Sequence, residues 1–458
     1  MVDCLKGGRG MTALYSNSHY KITPPWISHL PKKEYQWQIG ESPPPIEPHS
    51  FAKHRVYEEY IRHYIEVSYA NPRIPAAKIT LIDGFSGGGQ YLNPQDNSLY
   101  EGSPTRLIRA AESAAVAINI KRKSEGVRKP FQLHTTAYFV EKNRAAFDYL
   151  KAHLNTSGIV SQTGRTIHPL CGDFLEKQDA IVRQIQNDQR AGRAIFILDQ
   201  YGWTNVPFPY IQKIFASLKK AEVILTFATD WLIDYLSKEE SFKKAYDSTG
   251  LHECLPLQRL LQEKEDSCQW RSAIQAHLHR SIITASGARY YTPFFIKSTE
   301  ANKSFWLLHL SNHPRARDVM TALHWRIKNQ FSHHLAPGIR MFGYDPSKDE
   351  QVTGVSDLFG APEYTFDEDA RALTHQTIQR ELPELVYQFG GGISFQSFYE
   401  KIANHTPATI DHIKATIESL IDLKEIEVVS SDGKTRTKAS TIRGDDILQV
   451  PRQSIFLY

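Results

Sequence analysis

The feature that most constrains the fold is a series of short apolar runs that alternate with helical patterns. Runs such as AIFILD (194–199) and VILTF (223–227) are apolar throughout and bounded by polar residues. Continuous apolar runs separated by amphipathic helices are typical of a mostly parallel sheet that is covered on both faces. The sequence therefore predicts an α/β fold with a Rossmann-like sheet and helices on both of its faces.

The alternation can be placed along the chain residue by residue. A helix is predicted from Ser50, and two later strands are predicted at RYYTPFFIKS (289–298) and SFWLLHLSN (304–312). Between the fifth strand and these two, residues 230–287 predict a helical insertion that caps the sheet. The central strands are predicted at Ile79–Asp83, Thr135–Glu141, Thr166–Cys171, Ala194–Asp199 and Ala221–Thr226, and the helices between them at Ser103–Asn119, Arg144–His153, Lys177–Asn187 and Pro209–Lys219.

Three domains follow from this pattern. Residues 1–48 form an N-terminal arm that ends in the proline-rich ESPPPIEP, and 49–345 form the α/β domain. Beyond residue 356 the pattern changes to three helices, an Asp432-Gly433 turn and a basic return strand. Helices followed by a hairpin are the order of a winged helix, so 356–458 predict a C-terminal winged-helix-like domain.

Composition excludes several classes of protein. An apolar content of 41% with 23% charged residues is that of a soluble globular chain rather than a disordered one. We see no apolar run as long as a membrane span and no apolar segment of a signal peptide, so a cytoplasmic location without membrane contact is expected. The four scattered cysteines form no C-x-x-C pair, which favours neither disulfides nor a zinc site, and no metal is expected.

The glycine-rich stretch LIDGFSGGG follows the first strand. It lacks the third glycine of a dinucleotide fingerprint and the G-K-S/T of a phosphate-binding loop. What remains is an acid at a strand end followed by a glycine turn, which is the pattern of the first motif of S-adenosylmethionine (SAM) methyltransferases. Asp83, Phe85, Gly87 and Gly89 are thus candidate cofactor-binding residues. The alternative is a glycine turn with no ligand.

Two further strand ends carry suitable side chains. Glu141 ends the second strand, where a carboxylate can accept hydrogen bonds from ribose hydroxyls, although it could also be a solvated charge. Asp173 and Phe174 follow the third strand, where they would contact the adenine, while Asp173 could equally be a helix N-cap. Glu141 follows Asp83 by 58 residues (141 − 83), against about 20 in a compact dinucleotide unit. The extra length lies in the loop 90–102 and in the basic segment 121–129.

The fourth strand ends in ILDQYGW, which places Asp199 and Tyr201 at the same edge of the sheet. Methyl transfer is an in-line displacement, so the protein mainly positions a nucleophile that has a free lone pair. In amino-methylating enzymes an acid here accepts the N–H of the amine and an aromatic ring stacks on the base. Asp199 and Tyr201 are the candidate catalytic residues.

These residues resemble the three-Cys-motif partner proteins (TcmP), a family with a methyltransferase-like fold. The resemblance runs from Lys53-His54 through LIDGFSGGG, Gly102-Ser103-Pro104, FVEKN and CGDF to ILDQYGW, over about residues 49–235. It implies a co-encoded companion with a three-cysteine motif and a mobile-element or phage-defence context, but no firm substrate. Gln200 stands where the family usually has proline.

The predicted substrate depends on segments outside the central sheet. A winged helix commonly inserts its third helix, here 406–424, into a major groove, and Lys434, Arg436 and Lys438 would face phosphates from the wing. Lys53 is a further candidate contact to substrate, and the segment 121–129 is either a solvated loop or one side of a groove near the active edge. Two hypotheses stay open: a SAM-dependent methyltransferase acting on DNA or RNA, and a non-catalytic SAM-binding or regulatory partner that docks its companion through the C-terminal domain. Methylation of a protein substrate is a third, behind these two.

Overall fold

A single seven-stranded sheet organises the chain. The computed structural model describes residues 35–159, 165–188, 193–266, 270–298, 303–328, 330–332, 338–339, 341, 363–390 and 392–451. The first nine strands are β1 (Ala76–Asp83), β2 (Gln90–Leu92), β3 (Leu99–Glu101), β4 (Gln132–Glu141), β5 (Arg165–Cys171), β6 (Arg193–Leu198), β7 (Ala221–Phe227), β8 (Tyr290–Ser298) and β9 (Lys303–Ser311). The sheet order is β5-β4-β1-β6-β7-β9-β8.

The five strands β5, β4, β1, β6 and β7 are parallel to one another, whereas β9 is antiparallel to both of its neighbours. This order differs from the dinucleotide-binding order 3-2-1-4-5-6 by the insertion of one reversed strand next to the last. The predicted Rossmann-like sheet is confirmed. All seven residues of β7 are buried and five of them are apolar, as expected for a strand that is covered on both faces.

Helices cover both faces of the sheet, and the predicted insertion at 230–287 is helical. In the described part of the chain, the α-helices that precede the C-terminal domain are α1 (Pro48–Ser68), α2 (Ser103–Ser124), α3 (Arg144–Thr156), α4 (Phe174–Asn187), α5 (Phe208–Ser217), α6 (Thr229–Asp234), α7 (Glu240–Ser248), α8 (Leu257–Asp266), α9 (Trp270–Ser286) and α10 (Pro314–Ile327). Within the described residues, none of the helices is long and apolar enough to cross a bilayer.

The parallel register decides what lies at each edge of the sheet. Asp83 pairs with Phe139 on one side and with Ile197 on the other, so the carboxyl ends of β4, β1 and β6 are level. The basic segment 121–129 precedes β4 and therefore lies at the opposite, amino edge. It cannot flank a groove at the carboxyl edge, and that alternative is wrong.

The C-terminal domain has the element order of a winged helix. After a short pair, β10 (Gln330–Ser332) with β11 (Glu363–Thr365), the elements are α11 (Glu368–Tyr387), β12 (Ile393–Ser394), α12 (Phe395–Ile402), α13 (Ile410–Asp422), β13 (Glu427–Val429) and β14 (Ile447–Gln449). One hydrophobic cluster holds them together. It includes Ile378, Phe398, Ile417 and Leu448, all fully buried, and it extends to Tyr290 of β8.

The Asp432-Gly433 turn is present, since Gly433 has a φ of +80° and Ser430 N–H donates to Lys434 O at 2.9 Å. The prediction of a basic return strand after this turn is wrong. Thr435 makes only an isolated bridge to Val429, and β13 pairs instead with β14. Leu448 of β14 places an apolar side chain in the core, whereas the basic segment 434–438 contains only lysine, threonine and arginine.

The described part of the arm packs against the hairpin that β2 and β3 form. Leu92 N–H donates to Pro44 O and Ile46 N–H donates to Leu92 O, each at 2.9 Å. Trp37 is buried, and its indole N–H donates to Gln90 O at 2.8 Å. The domain boundaries at 48/49 and between 345 and 356 stay predictions, and the second lies outside the described residues.

Candidate cofactor site at the carboxyl edge of the sheet

Asp83 ends β1 and lies at the centre of the edge. It is almost fully buried, and its two carboxylate oxygens accept hydrogen bonds from the Ser103 hydroxyl at 2.6 Å and from Phe85 N–H at 3.1 Å. Burial and, to a smaller extent, the nearby charges of Asp199 and Glu141 raise the pKa of Asp83 to about 7 against the opposing hydrogen bonds. The site therefore favours the protonated form of this acid.

Ser103 does not cap α2. The N-cap is Gly102, no side chain caps the helix, and Ser103 is the first helical residue. Because its hydroxyl faces the strand end, it binds Asp83 instead of the backbone of its own helix. The Gly-Ser-Pro sequence thus joins the helix start to the acid of the glycine motif.

Glu141 ends β4 and binds the glycine loop. One of its oxygens accepts a hydrogen bond from Gly87 N–H at 2.8 Å, and the other accepts one from Asn143 N–H at 2.6 Å. Burial raises the pKa of Glu141, while these backbone donors lower it. Each oxygen keeps a second lone pair, so the carboxylate can still accept hydrogen bonds from a hydroxylated ligand.

The glycine loop is a cradle in which side chains do not fit. Gly87 and Gly89 have φ values of +57° and +76°, which L-residues rarely adopt. A Cβ on Gly87 would lie 2.9 Å from the Trp37 ring and 3.2 Å from the Tyr91 hydroxyl, and a Cβ on Gly88 would overlap the Trp37 indole. The arm and the β2–β3 hairpin therefore form one wall of the site.

The third strand end contributes less directly. Asp173 is the N-cap of α4, accepting from Leu175 N–H at 3.0 Å, and it also accepts from Lys142 Nζ at 2.8 Å. Phe174 is buried and lies under Gly84, while Phe85 is half-buried and tilted against Phe174 at 6.3 Å. In this conformation Phe174 belongs to the floor beneath the loop rather than to an open face.

Asp199 follows β6 and is bound by a lysine from α1. Lys53 Nζ lies 2.7 Å from Asp199 Oδ1, and the two side chains are only 9% and 19% exposed. Burial by itself would raise the pKa of Asp199, but the Lys53 ammonium and hydrogen bonds from Lys53 and Thr226 outweigh it and hold the pKa below its usual value. Asp199 is thus a charged carboxylate at neutral pH.

Helix α1 supplies the rest of this polar cluster. The Tyr57 hydroxyl lies 3.2 Å from Thr226 Oγ1 at the end of β7, and burial raises the pKa of Tyr57 well above 10. His54 is buried and stacks on Tyr100 of β3 with ring centroids 5.8 Å apart. Burial lowers the pKa of His54 to about 3, so the ring is neutral. The side chains of Lys53 and His54 are thus buried between α1 and the carboxyl edge of the sheet and do not lie on the surface.

The loop after β6 presents Tyr201 to solvent. Tyr201 is 58% exposed, and its ring meets Trp231 edge-on at 5.7 Å. Gln200 is buried, and its side-chain oxygen accepts from Val206 N–H at 2.8 Å, which closes the loop. Where the resembled family has proline, glutamine therefore fixes the loop by a hydrogen bond. An exposed, supported ring beside a charged carboxylate is suited to a planar acceptor group.

Three cations of the wing are paired with carboxylates. Lys434 lies 2.9 Å from Asp432, Lys438 lies 3.0 Å from Glu418 of α13, and Arg436 lies 3.1 Å from Asp446. A phosphate would have to compete with a carboxylate at each of the three positions.

The start of α13 is held by the sheet domain. Asp318 of α10 accepts a hydrogen bond from Ile410 N–H at 2.7 Å. The fully buried Arg317 donates to Ala408 O at 2.7 Å and also to Thr406 O. A winged helix reads bases with the N-terminal residues of this helix. In this arrangement that end packs against its own chain.

The sequence analysis did not predict which side chains surround the carboxyl edge of the sheet. Lys53 falls on the buried stripe of α1 with Tyr57, Tyr60 and Tyr64, at helical spacing. A lysine on such a stripe is a signal for a buried charge that needs a partner. Trp37 and Tyr91 gave no comparable signal, because their positions depend on contacts between the arm and the hairpin.

Comparisons with known proteins identify one domain, in the C-terminal part of the chain. A family model described as a GMT-like wHTH domain matches residues 343–433. Among solved structures, a loganic acid methyltransferase with SAH is similar at 10% identity and a TM-score of 0.23, over 62% of this chain and 84% of that one. A likeness this weak carries no conclusion about ligand or chemistry. The comparison with curated proteins gives no match. No metal-binding group of three or more His, Cys, Asp or Glu occurs in the described part of the chain.

Proposed function

We propose that this chain is a SAM-dependent methyltransferase that acts on nucleic acid. The observation that carries the proposal is the gathering of Asp83, Glu141 and Asp199 at the level carboxyl ends of three adjacent parallel strands, around a glycine loop. Ligands of open α/β sheets bind at this edge. SAM supplies an electrophilic methyl group when it is bound.

The residues fit such a cofactor. Asp83, Glu141 and Asp173 are acceptors suited to amine and hydroxyl groups, and the glycine loop beside them carries no Cβ. Phe85, Gly87, Gly89 and Phe174 would complete the site. Asp199 would accept an N–H of the acceptor amine, and the exposed Tyr201 would stack on its base.

The resemblance to the TcmP family extends the proposal. It adds a co-encoded protein with a three-cysteine motif as partner and a mobile-element or phage-defence context. The paired wing cations and the internal contacts of α13 favour a nucleic-acid contact at the carboxyl edge itself, through Tyr201 and its surroundings, rather than insertion of α13 into a major groove.

A non-catalytic SAM-binding or regulatory protein is the second candidate. The ion pair between Asp199 and Lys53 favours this second candidate, because an acceptor amine would have to share the Asp199 carboxylate with Lys53. In this role the C-terminal domain would dock the companion, and its paired surface charges fit a protein interface at least as well as a phosphate backbone.

Titration calorimetry with SAM, followed by transfer of a tritiated methyl group, separates the two candidates. The substrates are DNA, RNA and the co-encoded three-cysteine protein. Label on nucleic acid that disappears in Asp199→Ala, while SAM binding persists, supports the methyltransferase. Heat of binding without label on any substrate supports the regulatory role, and the absence of binding overturns both.

A further inference from the structure

The inserted hairpin 90–101 has no role in the function proposed so far. It carries Tyr91 in β2, and the Tyr91 ring contacts three aromatic side chains. Ring centroids lie 5.5 Å from Tyr35, 5.5 Å from Trp37 and 6.2 Å from His54. The arm, α1 and the hairpin thus hold this one ring in a fixed orientation.

The Tyr91 hydroxyl is held over the glycine loop. It would lie 3.2 Å from a Cβ on Gly87, and the ring atom Cε2, next to the carbon that bears the hydroxyl, would lie 3.1 Å from a Cβ on Gly102. Within the described residues, no hydrogen bond to this hydroxyl is found, and the side chain is half-buried rather than sealed. A phenol fixed by packing but not bound by protein is available to a ligand.

The surrounding charges define which ligand group this is. The negative charges of Asp199, Asp83 and Glu141 all act on Tyr91, and burial raises its pKa well above 10, so the hydroxyl keeps its proton. The amino-acid part of SAM carries an ammonium and a carboxylate. Acids suit the ammonium, but a carboxylate beside three acids needs a proton donor, and the Tyr91 hydroxyl is a donor at that place.

We propose that Tyr91 is a cofactor-binding residue whose hydroxyl donates a hydrogen bond to the α-carboxylate of the amino-acid part of SAM. This proposal rests on the proposed function, because it requires that SAM binds at the carboxyl edge. The hairpin is then a part of the cofactor site that was inserted between the glycine loop and α2.

The test compares two ligands on three proteins by titration calorimetry. S-adenosylhomocysteine (SAH) has the α-carboxylate, and 5′-methylthioadenosine lacks the amino-acid part. Tyr91→Phe removes only the hydroxyl, and Tyr100→Phe is the matched control, since Tyr100 pairs with Tyr91 across the hairpin. The Kd of Tyr91→Phe for SAH is expected to rise by about 10- to 100-fold, the range for a hydrogen bond to a charged group, with no change for methylthioadenosine.

Three outcomes overturn the inference. Tyr91→Phe binds SAH as the wild type does, or it loses both ligands equally, which indicates a packing role, or Tyr100→Phe loses SAH to the same extent. If the wild-type protein binds neither ligand, the proposed function fails together with the inference. If the wild type binds SAH but Tyr91→Phe is unaffected, only the inference fails.

Discussion

Replacing Lys53 by methionine tests the buried ion pair that joins α1 to the end of β6. Methionine keeps much of the length and the apolar stem of lysine but removes the ammonium, so Asp199 is left as an unpaired carboxylate with 19% exposure. Breaking a buried pair by removing one partner costs about 3–5 kcal/mol, because the remaining charge is desolvated without compensation. We expect a loss of this size in the free energy of unfolding at pH 7.

The pH dependence gives the prediction its sign. In the wild type the pKa of Asp199 lies below its ordinary value of 3.8, so the pair stabilises the protein above that pH and the stabilisation is lost as the pH falls further. Without Lys53 the burial that opposes ionisation dominates, and the pKa of Asp199 rises. The penalty of Lys53→Met is therefore largest at neutral pH and shrinks toward pH 4.

The assay is urea unfolding followed by tryptophan fluorescence between pH 4 and pH 8. Lys213→Met is the matched control, since Lys213 also lies 2.7 Å from a carboxylate, Asp179, but with both side chains about half exposed. Such a surface pair contributes less than about 1 kcal/mol. The double variant Lys53→Met/Asp199→Leu replaces both charges by apolar groups and is expected to recover at least half of the loss.

A loss below about 1 kcal/mol for Lys53→Met would refute the reasoning, since a loss that small is typical of a solvated pair. A loss that is constant from pH 4 to pH 8 would also refute it, because it would show that the lost packing of lysine, and not the charge of Asp199, is responsible.

Four further predictions concern the surroundings. The raised pKa of Asp83 favours its protonated form, so the wild type loses stability as the pH rises from about 4 to about 7, and Asp83→Asn is expected to remove this loss. The lowered pKa of His54 favours the neutral ring, so the wild type loses stability as the pH falls from about 6.5 to about 3, and His54→Phe is expected to remove that loss. Thermal melts of each variant and of the wild type across this pH range check both signs, and variant curves that run parallel to the wild-type curve contradict them. Gly88→Ala is expected to cost about 1–3 kcal/mol by collision with Trp37, and to cost less in a Trp37→Ala background, as urea unfolding would show. Arg317→Leu is expected to increase amide exchange in α13 without changing that in β1, and equal exchange in both elements would argue against its contact with the loop before α13.

The sequence predicts the sheet because its evidence is local. Buried parallel strands need continuous apolar runs, and the runs that end at Asp83, Glu141 and Leu198 carry this signal without reference to the rest of the chain. Because strand ends of a parallel sheet are level, the gathering of three carboxylates follows from the same runs. The positions of the candidate residues were therefore predictable, while the roles assigned to them stay predictions.

What the sequence does not predict depends on contacts between distant segments. The hairpin turn at Gly433 predicts a strand in the basic segment that follows it, but β13 pairs with β14 instead, because Leu448 of β14 packs in the hydrophobic core. The contact of Trp37 with the glycine loop needs the arm to pair with Leu92, 55 residues later (92 − 37). No local pattern specifies either choice.

The most direct test of the central claim is the binding of SAH to the wild type and to Glu141→Ala by titration calorimetry. If the carboxyl edge of the sheet is a SAM site, SAH binds with a 1:1 stoichiometry, and the loss of the Glu141 carboxylate weakens binding by about 10-fold or more. Binding that Glu141→Ala leaves unchanged, or no binding to the wild type, would contradict the account.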